Sequence, residues 1–391
     1  MIERLNRGVV VVALAGCWAL GPLPLHAADV DFTNEHGIKI ASEDENTFLR
    51  LGARLHVDAG SFDDDVTPLS DDVIARRARV HLSGRYHNDW RFALDYDFGE
   101  VDGFKNAWLR YSGFRRTHIT FGNQVAPFSL EESTSSNNIM FLERSLMTAF
   151  SPGFLVGLSA RAWGDKWSLT AGVFGDELDD RQRRKGDGTS VAGRLTFNPV
   201  RSGRGHLVHL GIAAEFRDLS DGIVRFRARP ETFVTSTKLV DTGTIRDAED
   251  LMTLGLEFAW RYQRLSVQGE YAMTTVSRKA GPDTDFSGGY VSAGFFLTDH
   301  RRGYRRSSGS FGRFAGGKTN AWQIAARYST IDLNDQDIDG GKESNITVGL
   351  NWFINRNFAL KLNYVDIDAS PNRKGIDESP SVVQLRFQVA Y

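Results

Sequence analysis

The 391-residue sequence has little cysteine and little excess charge of either sign. Its single cysteine, Cys17, excludes a framework of intrachain disulfides and a multi-cysteine metal site. Lysine and arginine number 47 against 49 aspartates and glutamates, which gives a net charge of −2. Without a basic excess, the chain as a whole lacks the electrostatic character of a protein that binds nucleic acid, so we expect no nucleic-acid partner.

Long apolar runs are missing after the N-terminus. Beyond residue 28, no stretch approaches the roughly 20 apolar residues that a membrane-spanning helix needs. The one long run, Gly8–Ala19, follows two arginines and precedes Ala27-Ala28. This order is typical of a secretory signal, so we expect residues 1–28 to be a signal peptide. Lipidation at Cys17, within Leu-Ala-Gly-Cys, is the alternative to cleavage near Ala28.

The chain is rich instead in alternating apolar and polar residues. Its last ten residues, VVQLRFQVAY, alternate in this way and end on the aromatic Tyr391. Alternation gives a strand one apolar and one polar face. In an outer-membrane β-barrel, the apolar face meets lipid and the polar face meets a wet lumen. The last strand therefore indicates such a barrel, with outer-membrane lipid as one partner and the barrel-assembly machinery as another, contacted through this strand.

Segments with the same alternation repeat from Phe48 to the end. They predict sixteen strands, near 48–59, 73–87, 90–99, 104–113, 116–124, 156–163, 166–176, 189–198, 206–218, 250–262, 264–277, 286–298, 318–333, 343–354, 357–368 and 380–391. Tight turns alternate with longer polar loops, such as 334–342, as in outer-membrane proteins. The exception is the long basic stretch 299–317, which falls on the side of the tight turns.

These patterns predict an all-β fold: a 16-stranded antiparallel transmembrane β-barrel over 48–391 with inward-folded loops, and a periplasmic segment at 29–47. A large soluble β-protein is the alternative. Aromatic residues near strand ends, such as Trp260, Tyr262 and Trp352, favour the membrane barrel, as do charges in mid-strand, which a soluble core excludes.

Motifs for catalysis are scarce. The sequence has no G-x-S-x-G element, no His/Cys cluster and no glycine-rich phosphate loop before a helix. His56, His81 and His209 stand on separate predicted strands with no motif around them. A phospholipase or protease barrel would need a Ser/His or Asp/His constellation at its rim. We therefore expect no enzyme, no cofactor and no metal.

The parity of each strand assigns its charged side chains to the lumen. It points Arg77, Arg79, Arg91 and Arg110 inward, within a set of about 14 basic and about six acidic inward residues. Arginine in excess favours anions, because it lowers their entry barrier and replaces lost hydration. If these arginines instead pair with lumen acids, they only maintain the shape of the barrel.

The loop at 219–249 carries a regular series of arginines within VRFRARPE. In an extended chain, alternate residues share one face at about 7 Å spacing, so the three guanidinium groups form a ladder of oxyanion sites. These residues are Arg225, Arg227 and Arg229. If the loop extends into water, the same series is an ordinary solvated face, and the sequence alone slightly favours that interpretation.

The loop at 125–155 is too long and too apolar for a free surface loop. We expect it to pack in the barrel mouth as a constriction, with a short helix near 139–149. Its polar residues are then candidates for the constriction itself: Glu131, Glu132, Ser135, Ser136 and Asn137.

Several segments of the sequence resemble the phosphate-selective porin O and P family. The resemblance lies in ARRARVHLSG (75–84), NDWRFALDYDFG (88–99), FGNQVAPFSLEESTSSNNIMFLER (121–144), VRFRARPE (224–231), FFLTDHRRGYRR (295–306), NAWQIAARYSTIDL (320–333) and GLNWFINRNFALKLNYV (349–365). It implies a homotrimer in the outer membrane of a Gram-negative bacterium. It also implies a passive channel that favours small anions, with phosphate or polyphosphate as candidate solutes. A general or organic-solute porin with little ion selectivity is the alternative.

The resemblance implies roles for individual residues as well. The three arginines of VRFRARPE match the ladder of phosphate-selective members, and Arg76 and Arg77 match a paired arginine near the constriction. Parity points Arg76 outward, in conflict with that role. After Thr134-Ser135-Ser136, where the family has a central lysine, this chain has Asn137. Lys105 is a nearby basic candidate, and general anion conduction is expected more firmly than high phosphate selectivity.

Overall fold

The computed structural model describes residues 29–33, 37–178, 188–202 and 205–391. The expected signal peptide, with Cys17, lies outside the described residues. Sixteen antiparallel strands close into a barrel, so the expected fold class and strand number are confirmed. Among the residues that the structure describes, no helix has both the length and the apolar character needed to cross a bilayer.

The barrel strands are numbered here in chain order. They are β1 Phe48–Asp63, β2 Asp72–Tyr86, β3 Trp90–Asp97, β4 Gly103–Tyr111, β5 Thr117–Val125, β6 Phe154–Trp163, β7 Trp167–Phe174, β8 Ser190–Phe197, β9 His206–Asp218, β10 Ala248–Tyr262, β11 Leu265–Arg278, β12 Thr284–Phe296, β13 Thr319–Asp335, β14 Ile338–Asn355, β15 Phe358–Ala369 and β16 Ser381–Ala390. Strand β16 pairs with β1 and closes the barrel. The start of β1 and the end of β16 therefore lie at the same end of the barrel, which we call the periplasmic end.

The alternation of the sequence produces the two faces of the wall. Leu256 on β10 is 57% exposed on the outer face, whereas its neighbour Glu257 is 5% exposed and points into the lumen. Aromatic residues lie at the periplasmic end, where Trp322 and Trp352 stack with their ring centres 5.1 Å apart. Both indole N–H groups donate to the side chain of Asn320, at 3.1 Å. Such a girdle suits the boundary between lipid and water.

The wall is of uneven height. Strands β13 and β14 have 17 and 18 residues, whereas β3 has 8 residues and β4 has 9. The expected loop at 334–342 is wrong, because β13 and β14 continue to a tight turn at Gln336 and Asp337. Above the bilayer both faces of a strand are wet, so the apolar alternation used to find strands is no longer required there.

A hairpin precedes the barrel. Its strands, Asp29–Thr33 and Gly37–Ala41, pair with each other, and the second pairs with residues 48–51 at the start of β1. The described part of the expected periplasmic segment 29–47 is thus attached to this end of the wall through backbone hydrogen bonds.

Two extracellular loops fold into the lumen and form an apolar cluster there. The loop 126–153 contains the helix α1, Leu130–Ser133, and a 3₁₀ turn at Leu146–Phe150. Leu146, Met147 and Phe150 pack with Phe226 of the second loop, against wall residues of β9 to β13. The second loop is therefore not a solvated loop, contrary to the interpretation that its sequence favoured. The helix expected near 139–149 is limited to the 3₁₀ turn.

The basic stretch at 299–317 forms a third inward element. Arg301–Arg305 pairs with Ser310–Ala315, and we call this unit the periplasmic hairpin. Its Phe311 packs with Leu130 of α1 and with the wall residues Leu207 and Ala259. The periplasmic hairpin thus contacts the extracellular loop 126–153 inside the barrel. This contact explains why a long segment lies on the side of the tight turns.

Candidate functional site

Two bulges in the wall turn extra cationic residues into the lumen. Between β1 and β2, His56 pairs with Arg77 and Val57 with Ala75, which leaves Arg76 as the extra residue. A bulge places two residues opposite one and breaks the strict alternation. Arg76 and Arg77 are both 5% exposed and both line the lumen, so the outward orientation that parity gave Arg76 is wrong.

The second bulge lies between β3 and β4. Leu94 pairs with Ala107 and Tyr96 with Phe104, so Lys105 and Asn106 stand opposite Asp95. Lys105 is 7% exposed, lines the lumen and lies 3.9 Å from Glu177. Parity from the sequence could not place this lysine, because nothing in its neighbourhood marks the inserted residue.

The first bulge holds the loop 126–153 across the lumen, and we call this loop the constriction loop after the role expected from its sequence. Arg76 donates from Nε and Nη2 to the two carboxylate oxygens of Glu143, at 2.8 and 3.0 Å. Arg386 on β16 donates to the same carboxylate and, at 2.6 Å, to both oxygens of Asp58. Burial raises the pKa of Glu143, but the charges of Arg76, Arg77 and Arg386 outweigh burial and hold it well below its usual range. Glu143 therefore stays ionised as the anchor of the loop.

The other acids of this loop are used for its folding. Glu131 accepts hydrogen bonds from the amide and hydroxyl of Ser145, at 2.9 and 2.8 Å, and pairs with Arg327. Glu132 pairs with Arg144 at 3.2 Å and lines the cavity. Glu131 is thus a buried folding residue of the loop, whereas Glu132 lies at the cavity with its charge compensated.

The polar tip of the loop faces the first strand. Arg54 on β1 donates to the hydroxyl of Ser136 at 2.9 Å, and His56 lies 2.9 Å from the side-chain oxygen of Asn137. Ser135, Ser136 and Asn137 all line the cavity. An uncharged amide therefore occupies the position where the family resemblance implied a lysine.

The series Arg225, Arg227 and Arg229 lies on one face, as the alternation predicted. The residues between them, Phe226 and Ala228, are buried in the apolar cluster and fix that face. Arg225 donates to Asp241 at 2.7 Å, and Arg229 lies 3.6 Å from Glu100. Burial raises the pKa of Asp241, but its hydrogen bond from Arg225 and other contacts outweigh burial and lower it.

Arg227 is exposed in the cavity and has no ion pair with any residue that the structure describes. Arg229 contacts Phe233, whose ring centre lies 4.2 Å from the guanidinium carbon. The ladder geometry is therefore present, but its first and third guanidinium groups have carboxylate partners and the middle one is available.

The wall of β1 to β8 carries further arginines. Arg110 and Arg161 donate to the hydroxyls of Thr120 and Thr170, each at 2.9 Å, and neither has an ion pair with a described residue. Arg79 pairs with Asp97 at 3.0 Å. Arg91 on β3 is exposed next to Arg110 and has no described ion-pair partner.

These groups surround one water-accessible cavity of about 1500 Å³. Basic residues in its lining far outnumber acidic ones. The basic residues are Arg50, Arg54, Arg76, Arg77, Arg79, Lys105, Arg110, Arg144, Arg161, Arg194, Arg217, Arg225, Arg227, Arg246, Arg305, Arg313 and Arg356. The acidic residues are Asp95, Asp97, Glu132, Asp176, Glu177 and Glu215.

The cavity brings together most of the residues expected to form the anion pathway, with Arg91 and Arg229 outside its lining. Sequence reasoning missed Arg305 and Arg313 as lumen residues, because a strand count cannot show that a turn folds back into the barrel. In the described part of the chain, no group of three or more His, Cys, Asp or Glu is arranged to hold a metal ion.

Comparison with known proteins agrees with this architecture. The family model "Phosphate-selective porin O and P" matches residues 49–391. Porin O of Pseudomonas aeruginosa is 25% identical to this chain over the full length of both. An anion-selective porin from Comamonas acidovorans has a TM-score of 0.58 at 13% identity, covering 88% of this chain and 100% of its own. OmpT of Vibrio cholerae in its trimer form has a TM-score of 0.53 at 11% identity, covering 88% of this chain and 99% of its own.

The structural likenesses share the barrel fold with this chain, and the family match extends over nearly all of the barrel, through every inward element described above. The chain therefore belongs to the phosphate-selective porin O and P family and is a porin of the Gram-negative outer membrane.

Proposed function

We propose that the chain is a passive anion channel whose preferred solutes are small oxyanions such as phosphate. The observation that carries the proposal is the charge of the cavity lining, in which basic residues outnumber acidic ones almost threefold. Several of these cations, including Arg110, Arg161 and Arg227, have no described carboxylate partner. Their charge is therefore available to a solute.

Conduction needs no covalent step and no moving part. An anion that enters the narrow part of a pore loses water, and guanidinium groups replace that water with charge-assisted hydrogen bonds. Because each free arginine has neighbouring cations, an anion can pass between sites of similar affinity instead of being held at one of them. We therefore expect the channel to prefer anions and still to conduct them rapidly.

Phosphate is the finer part of the proposal. The family description names phosphate selectivity, and Arg225, Arg227 and Arg229 share one face of a loop in the lumen. Against high selectivity stands Asn137, which offers an amide where a lysine would offer a charge. We therefore propose phosphate binding that is weaker than a lysine-containing site would give.

The test uses purified protein in a planar bilayer. The reversal potential in a potassium chloride gradient measures anion preference, and the chloride current is then followed as phosphate is added. A potential near the chloride limit supports the channel, and block at low phosphate concentration supports the phosphate site. A potential near zero would overturn the anion channel.

A general or organic-solute porin is the second candidate. It is favoured by the pairing of Arg79, Arg225 and Arg229 with Asp97, Asp241 and Glu100, which reduces the net charge offered to solutes. This candidate differs in the first measurement, because a pore with compensated charges gives a small reversal potential.

The proposal includes partners. A homotrimer is supported by the trimer form of a structurally similar porin. The outward apolar side chains of β16, among them Val383, Leu385 and Phe387, are 40 to 49% exposed and suit contact with lipid. The strand that ends near Tyr391 is the segment that we expect to contact the barrel-assembly machinery. Cross-linking in native membranes tests the trimer.

A further inference from the structure

An aromatic side chain lies in the lumen where a pore for small ions does not require one. Trp108 on β4 is half-buried, and it is the only tryptophan among the described residues that lines the cavity. The tryptophans of the outer girdle, such as Trp322 and Trp352, lie outside that lining. An indole facing water in a lumen rich in arginine needs a separate explanation.

The surroundings hold the indole in one place and leave space beside it. Its Nε1 donates to the side-chain oxygen of Asn106 at 3.1 Å. Its cross-strand neighbours are Ala93 and Gly122, so neither presents a side chain larger than a methyl group. Gly122 has φ 119°, and a Cβ there would lie 2.3 Å from the carbonyl oxygen of Ala107, which excludes a larger residue.

A guanidinium group lies against the same indole. The central carbon of Arg110 is 4.3 Å from the centre of the Trp108 ring, within the range of a cation–π contact. Arg110 uses its Nε to donate to Thr120. Its two terminal nitrogens have no partner among the residues that the structure describes, so they are free to bind a solute.

A second guanidinium group completes the arrangement. Arg91 is exposed outside the lining of the large cavity, but it stands directly opposite Arg110 in the sheet, and on its other side it stands opposite Arg85. Like charges directly opposite each other destabilise a sheet, so a bound anion would relieve the repulsion. The two acids on β3 are already engaged, Asp95 by His81 and Asn106 and Asp97 by Arg79, so neither neutralises this pair of arginines.

We propose that Trp108, Arg110 and Arg91 form a lumen site for planar aromatic carboxylates. The aromatic ring of the solute stacks on the indole, and its carboxylate accepts hydrogen bonds from the two arginines. A phosphate ion can use the arginines but gains nothing from the indole. The site thus adds a class of organic anion to the solutes of the channel, and it rests on the proposed anion conduction.

The test compares two carboxylates of equal charge, benzoate and acetate, as blockers of the chloride current. In the wild type we expect half-block by benzoate at a concentration about 3- to 10-fold lower than for acetate, the range that aromatic stacking gives. Trp108→Leu should remove this difference and leave block by phosphate unchanged. Equal block by the two carboxylates in the wild type would overturn the site.

Matched variants separate the site from general effects. Trp167→Leu removes an outward tryptophan that is 43% exposed, so it should keep the benzoate preference. Trp108→Phe retains an aromatic ring and should keep part of it, which controls for misfolding of the Leu variant. Arg91→Gln should weaken benzoate and acetate equally. Retention of the full preference by Trp108→Leu would contradict the proposal.

The proposed function and this site fail in different ways. A reversal potential near zero in the absence of any carboxylate would contradict anion conduction itself. A strong anion preference with equal block by benzoate and acetate would leave the anion channel standing and remove only the aromatic site.

Discussion

The imidazole of His209 on β9 lies 2.6 Å from the phenol oxygen of Tyr304 in the periplasmic hairpin. Its other nitrogen lies 3.0 Å from Glu257, and Glu257 pairs with Arg194 on β8. Arg194 in turn donates to the carbonyl oxygens of Ser308 and Gly309 at the tip of the hairpin. The periplasmic hairpin is therefore a fixed part of the lumen wall.

Replacing Arg301–Ala315 with two glycines should raise the single-channel conductance, because the hairpin fills part of the periplasmic end. Arg305→Gln keeps the hairpin but removes one cavity-lining charge, so it serves as the control for volume. We expect that variant to keep the wild-type conductance at high salt and to lose some anion preference. Unchanged conductance after the deletion would show that the narrowest part of the pore lies elsewhere.

Glu143→Gln should destabilise the constriction loop strongly. It removes the carboxylate partner of Arg76 and Arg77, whereas Arg386 keeps Asp58, and leaving a buried charge without a partner costs about 3 to 5 kcal/mol. The heat-dependent shift in gel mobility of the folded barrel measures this loss. Glu249→Gln, at an exposed position, is the matched control. Equal unfolding temperatures for both variants would exclude the anchoring role.

The same carboxylate sets a pH dependence. Because the pKa of Glu143 is held well below its ordinary value of 4.5, its contribution to stability is complete above that value. The contribution is lost only as the pH falls through the depressed pKa. We expect unchanged loop stability between about pH 5 and 8 and a loss in stronger acid. In Glu143→Gln, the loss of loop stability in acid should be smaller than in the wild type. An equal loss in that variant would show that another group titrates.

Arg227→Gln should reduce anion preference more than the loss of one positive charge elsewhere on the protein does. This guanidinium is exposed in the cavity without a described ion pair, so its field reaches the solute uncompensated. Lys279→Gln removes one charge from an exposed loop residue outside the cavity lining. The reversal potential in a chloride gradient compares the two variants. Equal shifts would mean that the middle residue of the ladder has no special access to the pathway.

Asn137→Lys should strengthen block of the chloride current by phosphate about tenfold, the effect of one charge-assisted hydrogen bond. The new ammonium group would lie beside Arg54 and His56, at the tip of the constriction loop. Asn138→Lys adds the same charge one residue along the cavity lining and is the control. If both variants bind phosphate equally, position 137 is not the selective one.

The barrel could be predicted from the sequence because its strands obey one rule across the bilayer. In Leu256 and Glu257, for example, the apolar residue faces lipid and the polar residue faces the lumen. The same alternation correctly placed arginines such as Arg110 inward. The rule failed where the bilayer does not act. The tops of β13 and β14 lie above the apolar band, and the hairpin at 301–315 is inside the barrel.

The two bulges show a different limit. A single extra residue reverses parity, and neither Arg76 nor Lys105 stands next to a glycine or proline that would mark it. The partners of Arg225 and Arg229 were equally hidden. Asp241 comes close because the loop 219–249 forms a short hairpin, and Glu100, in the connection between β3 and β4, comes close because the loop 219–249 folds inward. Local periodicity therefore predicts which strands form the wall of the pore, whereas tertiary packing determines which of the lumen charges have no ion-pair partner.

The apolar cluster on β9 to β13 has a consequence for ionic screening. It fills that side of the lumen, so the cavity is lined mainly by the opposite wall, where Arg54, Arg110 and Arg161 stand. The Debye length at physiological ionic strength is about 8 Å, and charges beyond it have little effect on an ion. An off-centre pathway along the arginine wall keeps a passing ion within that distance. The channel can therefore keep its charge preference in salt concentrations at which a wide central pore would lose it.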